Sequence, residues 1–269
     1  MDNRPIGFFD SGLGGLTCIP KLMELLPEEK VIYFGDTART PYGSKAVSTI
    51  KTFAMQIADF LVQNDVKMLV IACNTISATC IDDLREKYAD IPVIGIINPA
   101  TEKVSISCTE QNNVGIIGTK ATIQSKAYDT SLESLNPNLK VFSKACPAFV
   151  PLIEEGIIDN EIMDLTIHYY MDEFLKENDV DTVVLGCTHY PLIKENIERL
   201  YPNVKIINPS EEIVSSIIDT LNKNDMLAEE NDGQNIFYAS DLSENFIKMI
   251  DRIFEDYNIQ VKFKNLELL

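Results

Sequence analysis

Two short apolar runs that each end on a cysteine constrain the fold of this chain most strongly. The first is LVIACNTISA at residues 69–78, and the second is VVLGCTHYP at residues 183–191. An apolar run of this length between polar residues is typical of a buried parallel strand. Open α/β sheets bind ligands at the carboxyl ends of such strands, which is where Cys73 and Cys187 fall. The two cysteines could therefore face each other across one site.

Strand and helix patterns alternate around these two runs, which indicates parallel sheets built from βαβ units. The glycine-rich DSGLGGL turn allows close backbone approach to a ligand, but its spacing is not that of the dinucleotide motif GxGxxG. GDTARTPYGS, residues 35–44, reads as a loop. Strands are predicted at 5–9, 31–34, 93–97, 114–119, 139–142 and 236–240, and helices at 47–63, 78–88, 211–222 and 241–257, with helical segments also ending near residues 26, 177 and 200.

The strand and helix pattern starts again near residue 98. The interval between Cys73 and Cys187 is nearly the same as the interval between INPA at 97–100 and INPS at 207–210. Two such similar intervals suggest a duplicated α/β unit. We therefore predict two pseudo-symmetric, doubly wound parallel-sheet domains with the active site in the cleft between them. The first domain comprises residues 1–97 with 208–269, and the second comprises residues 98–207.

The charge balance narrows the class of partner. Lys and Arg number 23 against 41 Asp and Glu, a formal net charge of −18, which argues against nucleic acid or an anionic membrane as a partner. Backbone amides and helix N-termini can still hold a small anion. We expect neither a secretory signal nor a membrane span. Six cysteines without a CxxC pair favour a reducing cytoplasm.

Two polar residues stand near the two central cysteines. The thiolate is the reactive form of cysteine, and an ordinary thiol is mostly protonated at neutral pH. Asp10 ends the first predicted strand, which can neighbour the Cys73 strand, and His189 lies two residues after Cys187. A reversible disulfide between the two cysteines is an alternative. A metal site is disfavoured because the histidines and cysteines lack ligand spacing.

The remaining cysteines and the second histidine have a plainer interpretation. Cysteine is a common small residue of protein cores, so Cys18, Cys80 and Cys108 are expected to be structural. The role of Cys146, in ACPAF, stays undecided, although a structural role is favoured. His168 lies within a predicted helix and is expected to be structural.

Four motifs together resemble the glutamate racemases of the cofactor-independent aspartate/glutamate racemase superfamily. They are DSGLGG at 10–15, GDTARTPYGS at 35–44, ACNTISA at 72–78 and LGCTHYPL at 185–192. They follow the order of the family and span most of the chain. One departure is Ile76, where the family more often has a small residue.

The resemblance implies racemisation of glutamate by two opposed thiols, Cys73 and Cys187, without a cofactor or a metal. It implies that Asp10 assists Cys73 and that His189 assists Cys187. Two bases suit the reaction because a proton leaves one face of Cα and another arrives on the opposite face. The resemblance places substrate contacts at Asp10, Ser11, Tyr42, Gly43, Asn74, Thr75, Thr188 and His189, with Glu154, Thr119 and Pro41 as further candidates.

Three further expectations follow from the resemblance. The substrate is the small molecule glutamate, the D-glutamate product supplies peptidoglycan synthesis, and the protein forms a homodimer in the cytoplasm. Two alternatives stay open. One is a sister enzyme on the same scaffold, such as an aspartate racemase, and the other is a ligand-binding protein that has kept the fold without the activity.

Overall fold

The computed structural model describes residues 1–230, 234–254 and 259–266. Its strands are β1 (Ile6–Asp10), β2 (Val31–Gly35), β3 (Met68–Ile71), β4 (Val93–Gly95), β5 (Asn113–Gly118), β6 (Lys140–Ala145), β7 (Thr182–Gly186), β8 (Lys205–Ile207), β9 (Ile236–Ala239) and β10 (Gln260–Phe263). Its α-helices are α1 (Ile19–Leu25), α2 (Val47–Gln63), α3 (Asn74–Lys87), α4 (Ile97–Ser107), α5 (Lys120–Ser125), α6 (Ala127–Leu135), α7 (Phe149–Glu154), α8 (Glu161–Glu177), α9 (Lys194–Leu200), α10 (Pro209–Lys223) and α11 (Glu244–Ile253).

The strands form two parallel sheets that repeat one topology. The first sheet has the order β10-β9-β2-β1-β3-β4, and the second has the order β6-β5-β7-β8. All pairings are parallel. Strands β2-β1-β3-β4 correspond in order to β6-β5-β7-β8, so β3 before Cys73 and β7 before Cys187 occupy equivalent positions. The predicted α/β class and the duplication are confirmed.

The C-terminal segment returns to the first sheet, as the sequence predicts. β9 pairs with β2, and β10 extends the edge beyond β9. The predicted helix over 241–257 is shorter in the structure, since α11 begins at Glu244 and ends at Ile253, and residues 255–257 lie outside the described residues. β10 was absent from the sequence prediction. The exact domain boundaries at 97/98 and 207/208 remain a prediction.

Two boundaries near the repeat differ from the sequence prediction. The strand predicted over 93–97 ends at Gly95, and α4 begins at Ile97. INPA therefore opens α4, whereas in INPS Ile207 ends β8 and Asn208 caps α10. The helix predicted from residue 78 begins four residues earlier, at Asn74. Its first turn, NTIS, consists of residues with modest helix propensity, and the position directly after a buried strand outweighs that preference.

The core lies on both faces of each sheet. β1, β2, β3 and β7 are buried at every position, which fits parallel strands covered by helices on both sides. The two corresponding helices α4 and α10 pack against each other and so join the two halves. Within the described ranges, no helix combines the length and apolar character that crossing a membrane requires.

Candidate active site

A narrow pocket of about 20 Å³ lies between the two halves, at the carboxyl ends of the parallel strands. Segments that follow β1, β2 and β3 form one wall, and segments that follow β5, β6 and β7 form the other. This is the edge where open α/β sheets bind ligands. The space holds about one water molecule. The lining residues are Ser11, Thr40, Pro41, Tyr42, Gly43, Cys73, Asn74, Thr75, Thr119, Val150, Cys187, Thr188 and His189.

Cys73 occupies the N-cap position of α3 and reaches the pocket from the first half. Its Sγ atom lies 3.5 Å from Ser11 Oγ. Burial raises the pKa of the Cys73 thiol to about 12, and the negative charge of Asp10 adds to the rise. The hydroxyl of Ser11 and the backbone amides of Ile76 and Ser11 act in the opposite direction. A pKa this high keeps Cys73 as a thiol at neutral pH.

Cys187 reaches the same pocket from the second half and has a different neighbour. Its Sγ atom lies 3.9 Å from His189 Nδ1, and His189 Nε2 lies 3.1 Å from Glu154 Oε1. Burial alone lowers the pKa of His189, but the contacts with Cys187 and Glu154 outweigh it and raise that pKa to about 10. His189 is therefore an imidazolium at neutral pH, a cation placed beside the Cys187 sulfur.

Asp10 is fully buried at the end of β1 and bridges the two halves. One carboxylate oxygen accepts a hydrogen bond from the Gly12 amide at 2.8 Å, and the other accepts one from Thr188 Oγ1 at 3.0 Å. Burial raises the pKa of Asp10 itself. The negative charge of Asp10 raises the pKa of Cys73 and so disfavours its thiolate. By this electrostatic effect alone, Asp10 makes Cys73 a weaker candidate for the base form at neutral pH.

Two glycines allow the halves to approach closely at this pocket. A Cβ atom at Gly14 would lie 2.5 Å from Thr188 Oγ1 and 2.7 Å from His189 Nδ1. A Cβ atom at Gly43 would lie 2.6 Å from Thr119 Cβ. The glycine-rich turn of the sequence therefore serves close contact between the halves.

The pocket also contains polar atoms that have no protein partner. Thr40 Oγ1 and Asn74 Nδ2 are buried and make no hydrogen bond in the structure. Unpaired buried polar atoms are costly, so they are candidates for ligand contacts. Thr75 Oγ1 and Thr119 Oγ1 lie 3.1 Å apart across the halves.

The structure places most of the predicted site residues together. Asp10 and Glu154 are outside the pocket wall but contact the lining residues Thr188 and His189. Thr40 and Val150 line the pocket and were missed by the sequence analysis. Thr40 lies within the GDTARTPYGS loop, but nothing in the sequence distinguishes it from Thr37. Val150 follows the ACPAF segment and carries no polar signal.

The other candidates from the sequence lie away from the pocket wall. Cys18, Cys80, Cys108 and Cys146 are buried free thiols. His168 lies on α8, where its Nδ1 atom is 3.0 Å from Asp172 Oδ1. In the part of the chain that the structure describes, no cluster of three or more His, Cys, Asp or Glu side chains could hold a metal ion.

Comparison with known proteins agrees with this fold. The family model of Asp/Glu/hydantoin racemases matches residues 16–217. The glutamate racemase of Geobacter metallireducens is 43% identical over 254 residues, which cover 94% of this chain and 93% of that protein. The glutamate racemase of Sulfurihydrogenibium sp. is 42% identical, with coverage of 98% and 97%. The crystal structure of glutamate racemase from Francisella tularensis in complex with D-glutamate has a TM-score of 0.93 and 39% identity, with both chains covered over 100% of their length.

The duplicated parallel α/β fold and the similarity to these racemases together define an isomerase of the amino-acid racemase class. The chain belongs to the Asp/Glu/hydantoin racemase family. The relatives named above are glutamate racemases, and their identity extends over nearly the whole of this chain. The resemblance inferred from the four motifs is confirmed.

Proposed function

We propose that this protein interconverts L- and D-glutamate by moving the Cα proton between Cys73 and Cys187. The observation that carries the proposal is that both thiols line one pocket from equivalent positions in the two halves. A base on one face of Cα and an acid on the other can invert the centre without either group crossing the carbanion plane. The named relatives supply the choice of glutamate as substrate.

The surroundings of the two thiols support an unequal starting state. With L-glutamate bound, Cys187, which lies beside the His189 imidazolium, removes the Cα proton. Cys73, a thiol whose pKa burial raises to about 12, donates its proton to the opposite face. When the product leaves, the proton has been lost from the Cys73 sulfur and gained by the Cys187 sulfur, so the two thiols act as one pair. The reverse reaction uses Cys73 as the base.

The carbanion formed between the two transfers needs stabilisation because the Cα proton is a very weak acid. Hydrogen-bond donors held in a pocket that excludes water provide it. Asn74 Nδ2 and the hydroxyl of Thr40 are buried and unpartnered in the pocket. We assign such donors to the two carboxylates of glutamate, with contributions from Ser11, Tyr42, Gly43, Thr75, Thr119 and Thr188.

The biological setting follows from the bacterial relatives. We propose that the product D-glutamate supplies peptidoglycan synthesis and that the reaction takes place in the cytoplasm, where the free thiols stay reduced. We also propose a homodimer, because two-fold assemblies are the commonest oligomers of soluble proteins. Sedimentation that shows a fully active monomer would contradict the dimer.

Racemisation in deuterated water tests the two-thiol reaction. Purified protein without added pyridoxal phosphate, nucleotide or metal should convert L-glutamate to D-glutamate that carries deuterium at Cα. At low conversion the remaining L-glutamate should carry little deuterium, because a different group protonates each face. Product that retains the substrate's own proton would indicate a single base. Turnover of aspartate but not glutamate would assign the chain to a sister activity.

A further inference from the structure

Tyr128 lies between the two segments that carry the pocket cysteines. It belongs to α6 of the second half and is 2% exposed. Its ring lies beside Gly186, where an added Cβ atom would be 3.4 Å from Tyr128 Cε2, and Gly186 directly precedes Cys187. Its hydroxyl donates a hydrogen bond to Asn74 Oδ1 at 2.6 Å, and Asn74 directly follows Cys73. One side chain therefore connects the two cysteine segments.

The bond from Tyr128 determines what Asn74 presents to the pocket. A side-chain amide has an acceptor oxygen at one end and a donor NH₂ group at the other. Since Oδ1 accepts from Tyr128, the donor end is the one left over. Asn74 Nδ2 is buried and has no partner in the protein, and Asn74 lines the pocket. The free group of this amide is therefore an N–H donor, which suits an anionic oxygen.

We propose that Tyr128 is a positioning residue that orients the Asn74 amide so that its Nδ2 atom donates to a carboxylate oxygen of the bound substrate. The proposal rests on the proposed function, in which that substrate is glutamate. Without the Tyr128 hydroxyl, the amide can turn over and place its oxygen toward the carboxylate, where two acceptors repel. Tyr128 itself makes no contact with the substrate in this arrangement.

The positions of the two residues give the bond a second consequence. Asn74 opens α3 of the first half and Tyr128 lies on α6 of the second. The bond therefore joins the two halves, and the orientation of the Asn74 donor depends on the contact between them.

The first test is Tyr128→Phe, which removes the hydroxyl and keeps the ring against Gly186. We expect the KM for both L- and D-glutamate to rise about tenfold, which corresponds to about 1.4 kcal/mol, because both enantiomers carry the same carboxylates. Tyr88→Phe is the matched control, since its hydroxyl donates at the same 2.6 Å to Asp59 away from the pocket. Loss of thermal stability in Tyr128→Phe with an unchanged KM would show a merely structural role and overturn the proposal.

A double-mutant cycle with Asn74→Ala tests whether Tyr128 acts through Asn74. In the Asn74→Ala background, Tyr128→Phe should raise KM no further, because no amide is left to orient. Multiplicative effects of the two substitutions would overturn the proposal. If Tyr128→Phe does not fold, Asn74→Asp carries the test, since Asp keeps the acceptor for Tyr128 but presents an oxygen to the substrate. An unchanged KM in Asn74→Asp would overturn it as well.

Turnover by the unmodified enzyme separates this proposal from the proposed function. If the unmodified protein racemises glutamate and Tyr128→Phe has an unchanged KM, only the role of Tyr128 is wrong. If the unmodified protein does not turn over glutamate, the proposed function fails and the role of Tyr128 fails with it.

Discussion

His189 Nδ1 lies 3.9 Å from the Sγ atom of Cys187. The other ring nitrogen lies 3.1 Å from Glu154 Oε1, so the imidazole stands between a sulfur and a carboxylate. Cys73 has no such cation beside it among its described contacts and instead lies 3.5 Å from the Ser11 hydroxyl. The two halves repeat the same strand order, but the two thiols have chemically different surroundings. This asymmetry leads to predictions in which the two sides of the pocket respond differently.

Glu154→Gln should weaken the pH dependence of stability. The folded-state pKa of His189 is about 10, above its ordinary value of 6.5. The charged ring therefore stabilises the folded protein fully below pH 6.5, and this stabilisation is lost as the pH rises through 10. Removing the Glu154 charge lowers the His189 pKa and shrinks the loss. Urea unfolding of both proteins at pH 6, 8 and 10 measures the difference.

The exposed neighbour Glu155 provides the control for that experiment. Glu155→Gln makes the same chemical change one residue along the chain, outside the contact with His189. Its unfolding free energy should follow the unmodified protein across the whole pH range. Equal responses of Glu154→Gln and Glu155→Gln would show that the ion pair does not set the charge of His189.

Replacing either pocket cysteine with serine should abolish racemisation but leave proton removal by the remaining cysteine. A general acid or base usually contributes about 10²- to 10⁴-fold to the rate. Cys73→Ser and Cys187→Ser should therefore each lower the kcat for racemisation by that factor or more. Elimination of chloride from β-chloroglutamate needs only one base. The resemblance assigns Cys187 to the L enantiomer and Cys73 to the D enantiomer. Cys73→Ser should therefore eliminate from L-β-chloroglutamate, and Cys187→Ser from the D form.

Cys80→Ser is the matched control for the cysteine series, because Cys80 is also buried but lies outside the pocket wall. It should racemise glutamate at the unmodified rate. Racemisation by both Cys73→Ser and Cys187→Ser would contradict the two-thiol reaction. Exchanged enantiomer preferences would keep the chemistry and reverse the assignment of the two faces.

The sequence contained enough to predict the sheets and the position of the site. The apolar runs before Cys73 and Cys187 predict buried parallel strands, and the repeated interval between motifs predicts the duplication that the strand order confirms. These signals are local, because burial on both faces requires a continuous apolar run. The edge strand β10 was missed because its segment, QVKF, is half polar and carries no such run.

Contacts between the halves were harder to predict than the elements themselves. The hydrogen bond between Asp10 and Thr188 joins residues from separate sheets, and no periodic pattern in the chain encodes it. The same holds for Thr40, whose role as a pocket residue depends on how its loop folds back. Motif spacing indicates which segments meet. It does not indicate which side chain in a loop reaches the ligand.

Gly14→Ala should impair catalysis by wedging the two halves apart. The added Cβ atom would lie 2.5 Å from Thr188 Oγ1 and 2.9 Å from the Thr188 backbone carbonyl carbon, distances that require movement. A displacement of about 1 Å near the reacting groups costs about a hundredfold in rate, so we expect a fall of that order in kcat/KM. Steady-state racemisation monitored by circular dichroism measures it.

Gly95→Ala controls for the added methyl group. Its Cβ atom would lie 2.5 Å from the flexible end of Ile81, Cδ1, and 3.0 Å from Ser77 Oγ, and neither side chain lines the pocket. The kinetics of Gly95→Ala should match those of the unmodified protein. Unchanged kinetics in Gly14→Ala as well would show that close contact at Thr188 is not needed for catalysis.

Lys67→Met should destabilise the fold strongly because it leaves a buried carboxylate without its partner. Lys67 Nζ lies 2.6 Å from Glu29 Oε2, and the two side chains are 0% and 2% exposed. Lys67 also donates to the backbone carbonyls of Asp2 and Met226, which ties the start of β3 to the N-terminal segment and to the segment that follows α10. Breaking a buried pair from one side costs about 3–5 kcal/mol, measurable by urea unfolding at pH 7.

Two companion variants identify the origin of that loss. Lys51→Met breaks a solvent-exposed pair with Asp83 and should leave the unfolding free energy almost unchanged, since exposed pairs contribute little. Replacing both partners, as Lys67→Met with Glu29→Met, removes the uncompensated charge and should recover much of the lost stability. If the double variant is no more stable than Lys67→Met alone, the loss arises from the bonds of Lys67 to Asp2 and Met226 rather than from the orphaned Glu29.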